Sequence, residues 1–324
     1  MKAKYLTLIM ASLLLTACEH STPQPAAPVA KAPAPALSTS KNESHFAPPL
    51  ESSIPNDDFG KQITLGRQIF MNPGKYAGAY VGNQLSCDNC HLDAGRLAYS
   101  APMWGAYPMY PAYRSKTGQV NTFAERLQGC FNYSMNGKAP PLGDPVLVAL
   151  ETYAYWMSKG EPIGTSLPGR GYPKWPKPAL APDYVRGEAV FKRDCALCHG
   201  DNGQGQQAGG RVVFPPLWGP QSFNWGAGME SITNAVGFIQ ANMPLGRGNT
   251  LTNQDAWDVA YFMNAHERPQ DPRYKDSIPV TRAAFHDTPD SLYGVMVNGH
   301  LLGQGTADSR THSGGLRETE DGHE

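Results

Sequence analysis

Apolar residues recur at helical spacing in two separated stretches, Ile63-Leu65-Ile69-Phe70 and Val185 to Phe191. The stretches share a register, because Gly66 and Phe70 of the first correspond to Gly187 and Phe191 of the second. A glycine followed by a phenylalanine at that spacing predicts a close helix crossing with an aromatic packed beside it. A second pair lies downstream. Residues 145 to 159 carry Val146, Leu147, Ala149, Leu150, Tyr153 and Trp156 on an amphipathic helix, and 255 to 266 carry Trp257, Val259, Ala260, Phe262 and Met263. Ala154-Tyr155-Trp156-Met157 parallels Ala260-Tyr261-Phe262-Met263, so one helical unit is used twice. These aromatics read as core and wall residues.

Between the helices of each copy lies a short cysteine motif. Cys87-Asp88-Asn89-Cys90-His91 and Cys195-Ala196-Leu197-Cys198-His199 both match the c-type haem attachment pattern. The cysteines would hold the porphyrin through thioethers and the histidine would bind the iron. Helix, pentad, long loop and aromatic helix together resemble the small class I cytochrome c domain. The expected fold is all-α, with two fused domains of this kind, each carrying one covalently bound haem c. Residues 54–160 form the first and 183–278 the second. Between them, 161–182 is a linker stiffened by Pro162, Pro168, Pro173, Pro176, Pro178 and Pro182. Residues 279–324 read as a polar tail.

The beginning of the chain reads as an export signal. Lys2 and Lys4 precede an apolar run that ends in Leu15-Thr16-Ala17-Cys18, which resembles a bacterial lipobox. Cleavage would remove residues 1–17 and leave an acylated Cys18, with 18–53 as a Pro/Ala-rich tether. This predicts a lipid-anchored protein on the periplasmic side of a Gram-negative membrane, with inner and outer membrane both open. A net charge of -1 with 17% charged residues excludes a nucleic-acid footprint and a broad polybasic surface.

The sixth axial positions separate the two copies. In the second, Met243 stands in the loop before the last helix, beside Pro244, with Met229 as its rival. In the first, the corresponding region offers Cys130, the one cysteine left after Cys18 and the four attachment cysteines. An unpaired exported thiol is buried, metal-bound or reactive; under the buried reading, Met135 and Met109 compete as ligands. Arg114, Lys116 and Arg126 lie upstream of Cys130 and Ser134 one helical turn downstream, a grouping suited to an oxyanion.

Arg126-Leu-Gln-Gly-Cys130-Phe-Asn-Tyr-Ser134-Met-Asn-Gly137 resembles the active-site signature of the dihaem thiosulfate dehydrogenases. Asn83, Trp156, Asn242-Met243-Pro244 and the Trp257 helix are also similar, over roughly 57–278. The resemblance implies an oxidoreductase that joins two thiosulfates into tetrathionate, possessing Cys130 as distal ligand of haem 1 and Met243 of haem 2. It implies catalytic roles for Cys130, Arg126, Ser134 and either Arg114 or Lys116. Electrons would leave through haem 2 to a periplasmic cytochrome or another high-potential acceptor, in a reaction that some relatives run toward tetrathionate reduction. Two other readings stand beside it. One is a lipid-anchored electron-transfer protein without substrate chemistry; the other is the thiosulfate-binding cytochrome of a multienzyme sulfur-oxidation system.

Overall fold

In each copy of the repeat two helices cross at a glycine. Asp58–Met71 packs on Pro145–Met157, and Tyr184–Asp194 on Asn253–Asn264. All four start on a side-chain cap: Asp57 accepts from the Gly60 amide, Asp144 from Val146, Asp183 from Arg186 and Thr252 from Asp255. Each cap satisfies an amide that the helix itself leaves open. A β-carbon on Gly66 would lie 2.1 Å from the Ala149 carbonyl oxygen, and one on Gly187 2.1 Å from that of Asp258. Phe70 meets Tyr153 with ring centroids 6.1 Å apart, and Phe191 meets Phe262 at 5.4 Å. Gly187→Ala should push the second pair apart, and such over-packing costs on the order of 1–3 kcal/mol. A lowered thermal midpoint of the haem-loaded protein checks this; an unchanged midpoint contradicts the crossing.

The computed structural model describes residues 45–306 apart from 210, and all of them belong to one compact unit. The expected signal segment 1–17, Cys18 and the tether up to residue 44 lie outside the described residues. The fold is mostly helical, with three two-stranded antiparallel sheets among the described residues. None of their helices is long and apolar enough to cross a membrane.

Two segments differ from expectation. Residues 45–53, assigned to the tether, lie against the first copy. Arg96 Nη2 donates to the Pro48 and Pro49 carbonyls at 3.2 and 2.8 Å, and Phe46 packs on Trp104. The tail expected from 279 is folded through residue 306. Ile278–Phe285 is a helix, and strands Met296–Val297 and His300–Leu301 pair across Asn298-Gly299, both residues having positive φ. Leu292, Tyr293, Val297 and Leu302 are buried, which anchors this segment by apolar area. A buried ionic group reinforces it: Asp271 pairs with Arg273 at 2.6 Å and with His286 Nε2 at 3.0 Å. Burial alone would lower the His286 pKa, but Asp271 and Glu230 outweigh it and raise the net value.

The proline-rich linker is a strap held on both copies. Its carbonyls at Gly169 and Gly171 accept from the Tyr99 and Ala101 amides, and that of Pro176 accepts from Trp257 Nε1 at 2.9 Å. Proline has no amide hydrogen to donate, so such a segment is fastened largely through its acceptors.

Candidate active site

The first pentad borders a cavity whose apolar wall includes Phe70, Leu85, Phe131, Met135 and Met229. Cys87, Cys90 and His91 line it together. His91 Nδ1 lies 2.7 Å from the Ala101 carbonyl oxygen. A carbonyl can only accept, so Nδ1 holds the proton and Nε2 keeps its lone pair for a metal. Burial lowers the His91 pKa to about 4, which keeps the ring neutral. The second pentad repeats this arrangement: His199 Nδ1 donates to the Pro215 carbonyl at 2.9 Å, and burial lowers its pKa too. Its cavity is lined by Cys195, Cys198, His199, Phe191, Phe238 and Val259, among others. Paired cysteines, a neutral imidazole with a free Nε2 and an apolar enclosure fit one haem c at each place.

The two cavities adjoin. Leu85, Cys90, Phe223 and Met229 line both. Met243 lines the second cavity, as does Met229. Met135 lines the first cavity, whereas Met109 lines neither cavity at Cys130.

Cys130 sits where a helix changes character. Phe123–Gly129 begins on a Thr122/Glu125 capping box and runs directly into a π-helical turn, Cys130–Ser134. Wider turns of this kind concentrate at functional sites. Its backbone is held from both copies: Asn83 Nδ2 donates to the Ser134 carbonyl at 2.8 Å and Asn224 Nδ2 to that of Asn132 at 2.8 Å. Helical spacing brings Arg126 Nη1 to 3.0 Å from Cys130 Sγ. The Cys130 charge raises the Arg126 pKa, overcoming its burial. Ser134 shares the apolar cavity with Cys130 and His91.

Cys130 and His91, with Met103 and Leu127, also line an adjoining space. Arg114, Arg126, Arg170 and Tyr110 line this space, and among the described residues no carboxylate does. Arg114 Nη1 donates to the Tyr110 hydroxyl. Lys116 is elsewhere: its ammonium donates to the Gly226 carbonyl and lies over the Tyr133 ring. Desolvation of that tip, with Arg273 nearby, lowers the Lys116 pKa to about 8. Of the two cations expected to complete the pocket, Arg114 is therefore the one beside Cys130. Arg170 was missed by sequence reasoning, because a proline-rich strap has no periodicity to reveal which side chains turn inward.

Residues 76–163 match the family described as SoxA/TsdA, cytochrome c domain, and 182–263 match cytochrome C oxidase, cbb3-type, subunit III. The thiosulfate dehydrogenase of Thiomonas intermedia is 63% identical over 258 residues, covering 80% of this chain and 82% of the relative. That of Stutzerimonas stutzeri is 54% identical over 265 residues, covering 81% and 86%. The chain belongs to the thiosulfate dehydrogenase family. The solved thiosulfate dehydrogenase (TsdBA) from Marichromatium purpuratum superposes with a TM-score of 0.80 at 47% identity. The match spans 82% of this chain and 59% of that one. Membership makes this a dihaem cytochrome c oxidoreductase, in agreement with the two attachment sites and with the helical cytochrome c-like fold.

Proposed function

We propose that the chain oxidises two thiosulfates to tetrathionate, with Cys130 performing the sulfur chemistry. The single observation that supports this role best is the 3.0 Å contact between Arg126 Nη1 and Cys130 Sγ at a cavity lined by two further arginines. The guanidinium lies within hydrogen-bonding reach of the sulfur. It also offers planar donors to a sulfonate. Residues 54–160 form the catalytic domain, 183–278 the electron-transfer domain, and 161–182 the connection. His91 and Cys130 would hold the iron of haem 1, and His199 and Met243 that of haem 2. When bound, the two haems accept the two electrons that the reaction releases.

The thiolate of Cys130 and the terminal sulfur of one thiosulfate form an S–S bond with loss of two electrons, leaving a cysteine S-thiosulfonate. Arg126 and Arg114 hold the sulfonate oxygens while Ser134 borders the sulfur. The terminal sulfur of a second thiosulfate then attacks the outer sulfur of the adduct. The bond to Sγ breaks, its electron pair returns to Cys130, and tetrathionate leaves. A periplasmic cytochrome or other high-potential acceptor collects the electrons, and acylated Cys18 tethers the protein to the membrane on that side.

Anaerobic turnover of the purified holoprotein with ferricyanide tests the reaction. Two thiosulfates should disappear and one tetrathionate appear for every two ferricyanides reduced. Haems that a cytochrome reduces but thiosulfate does not would indicate an electron-transfer protein instead.

A further inference from the structure

The π-helical turn Cys130–Ser134 is a short irregular element, so its position depends on what packs against it. Asn83 and Asn224 hold its backbone. The Tyr133 side chain adds a third attachment, directed at the second copy. Its ring lies on the Gly226 backbone, where a β-carbon would come 2.5 Å from ring Cδ1. The guanidinium carbon of Arg273 stands 5.0 Å from the Tyr133 ring centroid and 4.2 Å from that of Phe285. Arg273 thus joins the turn that carries Cys130 to the last residue of the helix Ile278–Phe285. Lys116 also reaches the Tyr133 ring, at 4.9 Å, but from the exposed turn of a hairpin.

Arg273 is itself firmly held. Its Nε donates to Asp271 Oδ1 at 3.0 Å and its Nη2 to Oδ2 at 2.6 Å, while its amide donates to Oδ1 at 2.8 Å. Asp271 is buried and accepts from His286 Nε2 at 3.0 Å. The other imidazole nitrogen lies 3.5 Å from Glu230 Oε1, and the ring stacks on Tyr293 with centroids 4.3 Å apart. A guanidinium bound along one edge by a carboxylate offers flat faces to aromatic rings; an ammonium has no such plane. Tyr133, Asp271, Arg273, Phe285 and His286 line none of the cavities beside the pentads. Their contacts are made with one another, and each charge in the chain has its partner within the protein.

We infer that Arg273 is a positioning residue for the reaction: through the Tyr133 ring it fixes the turn that presents Cys130. This rests on the reading of Cys130 as the reacting residue. Arg273 touches no reacting atom. The folded segment beyond residue 278 is the frame that holds it, with contacts running from Tyr293 and His286 through Asp271. Arg126 and Arg114 belong to other elements, a helix and a strand, so releasing the turn displaces the sulfur and leaves the anion donors in place. The expected consequence is a slower reaction at nearly unchanged thiosulfate affinity.

The test uses haem-loaded wild type, Arg273→Gln, Arg273→Lys, Tyr133→Leu and the double variant Tyr133→Leu/Arg273→Gln. The limiting rate of haem reduction by saturating thiosulfate should fall about ten- to a hundredfold in Arg273→Gln, as for a misplaced reacting group. The half-saturating thiosulfate concentration should stay near the wild-type value. Arg273→Lys keeps the charge without the plane and should be slowed in the same sense. Amide hydrogen exchange should quicken in the peptide spanning 130–137 and remain unchanged in Tyr184–Asp194. Because both side chains act through one contact, the double variant should be no slower than the slower single variant. If Arg273→Gln loads haem poorly, Arg273→Lys carries the comparison; if Tyr133→Leu does, rate and exchange in the Arg273 variants decide. A wild-type rate, a rate loss without faster exchange in the turn, or losses that multiply in the double variant overturns the assignment. Full turnover by Cys130→Ala overturns the Cys130 reading instead, which is a separate result.

Discussion

Cys130→Ala should keep both haems and lose thiosulfate turnover by on the order of a thousandfold or more, as when a covalent nucleophile is removed. Haem retention is expected because the substitution leaves the proposed attachment cysteines, Cys87, Cys90, Cys195 and Cys198, in place. The fold should survive too. Cys130 is only half-buried, and the turn that bears it is held through backbone carbonyls by Asn83 and Asn224. What disappears is the sulfur that Arg126 contacts at 3.0 Å and a ligand available to haem 1. The absorption spectrum of haem 1 should therefore change while that of haem 2 does not. Steady-state assays with ferricyanide, together with a haem stain of the purified variant, read both outcomes. Full turnover by the alanine variant would remove Cys130 from the mechanism.

Met243→Ala should lower the reduction potential of haem 2 and slow electron delivery to an external acceptor. A thioether ligand favours the ferrous iron, so its loss makes the haem a poorer electron sink. Met229→Leu is the necessary control, because Met229 lines the same cavity and is its competitor for the iron. Its place in the wall shared by both cavities suits packing, and the leucine preserves that volume. A spectroelectrochemical titration should find the Met243 variant shifted and the Met229 variant close to wild type. The opposite pattern would exchange their roles.

The parts of the fold that could be read from the sequence are those written in a repeating code. Gly66 and Gly187 announced the helix crossings because the same residue occupies the same helical position twice, and only glycine fits 2.1 Å from a carbonyl. Cys130 and Ser134 were legible as one face from their four-residue spacing, and both line the same cavity from the π turn. Choosing between Arg114 and Lys116 was not possible in the same way. Arg114 ends the first strand of a hairpin, Ala112–Arg114 paired with Gln119–Asn121, and Lys116 lies in its turn. Strands of three residues are too short for alternation to fix which side chain faces the cavity.

The folded segment beyond residue 278 carried one signal that composition obscured. Asn298-Gly299 is a strong hairpin dipeptide, and both residues adopt the positive φ that such a turn needs. Polar character nevertheless made 279–324 look like a tail, since its buried apolar residues, Leu292, Tyr293, Val297 and Leu302, follow no single period. Arg170 illustrates the same limit at the site. Its direction is set by Gly105, Gly169 and Gly171, contacts remote in sequence or conformational rather than chemical.

In the proposed reaction Cys130 bonds to thiosulfate while the haems take up the electrons. Mass spectrometry of the Cys130 peptide, taken after one equivalent of thiosulfate has reduced the oxidised holoprotein, tests it most directly. A thiosulfonate should appear on Cys130 in proportion to the haem reduced and be cleared by further thiosulfate as tetrathionate forms. Haem reduction and tetrathionate formation with Cys130 unmodified throughout would contradict it.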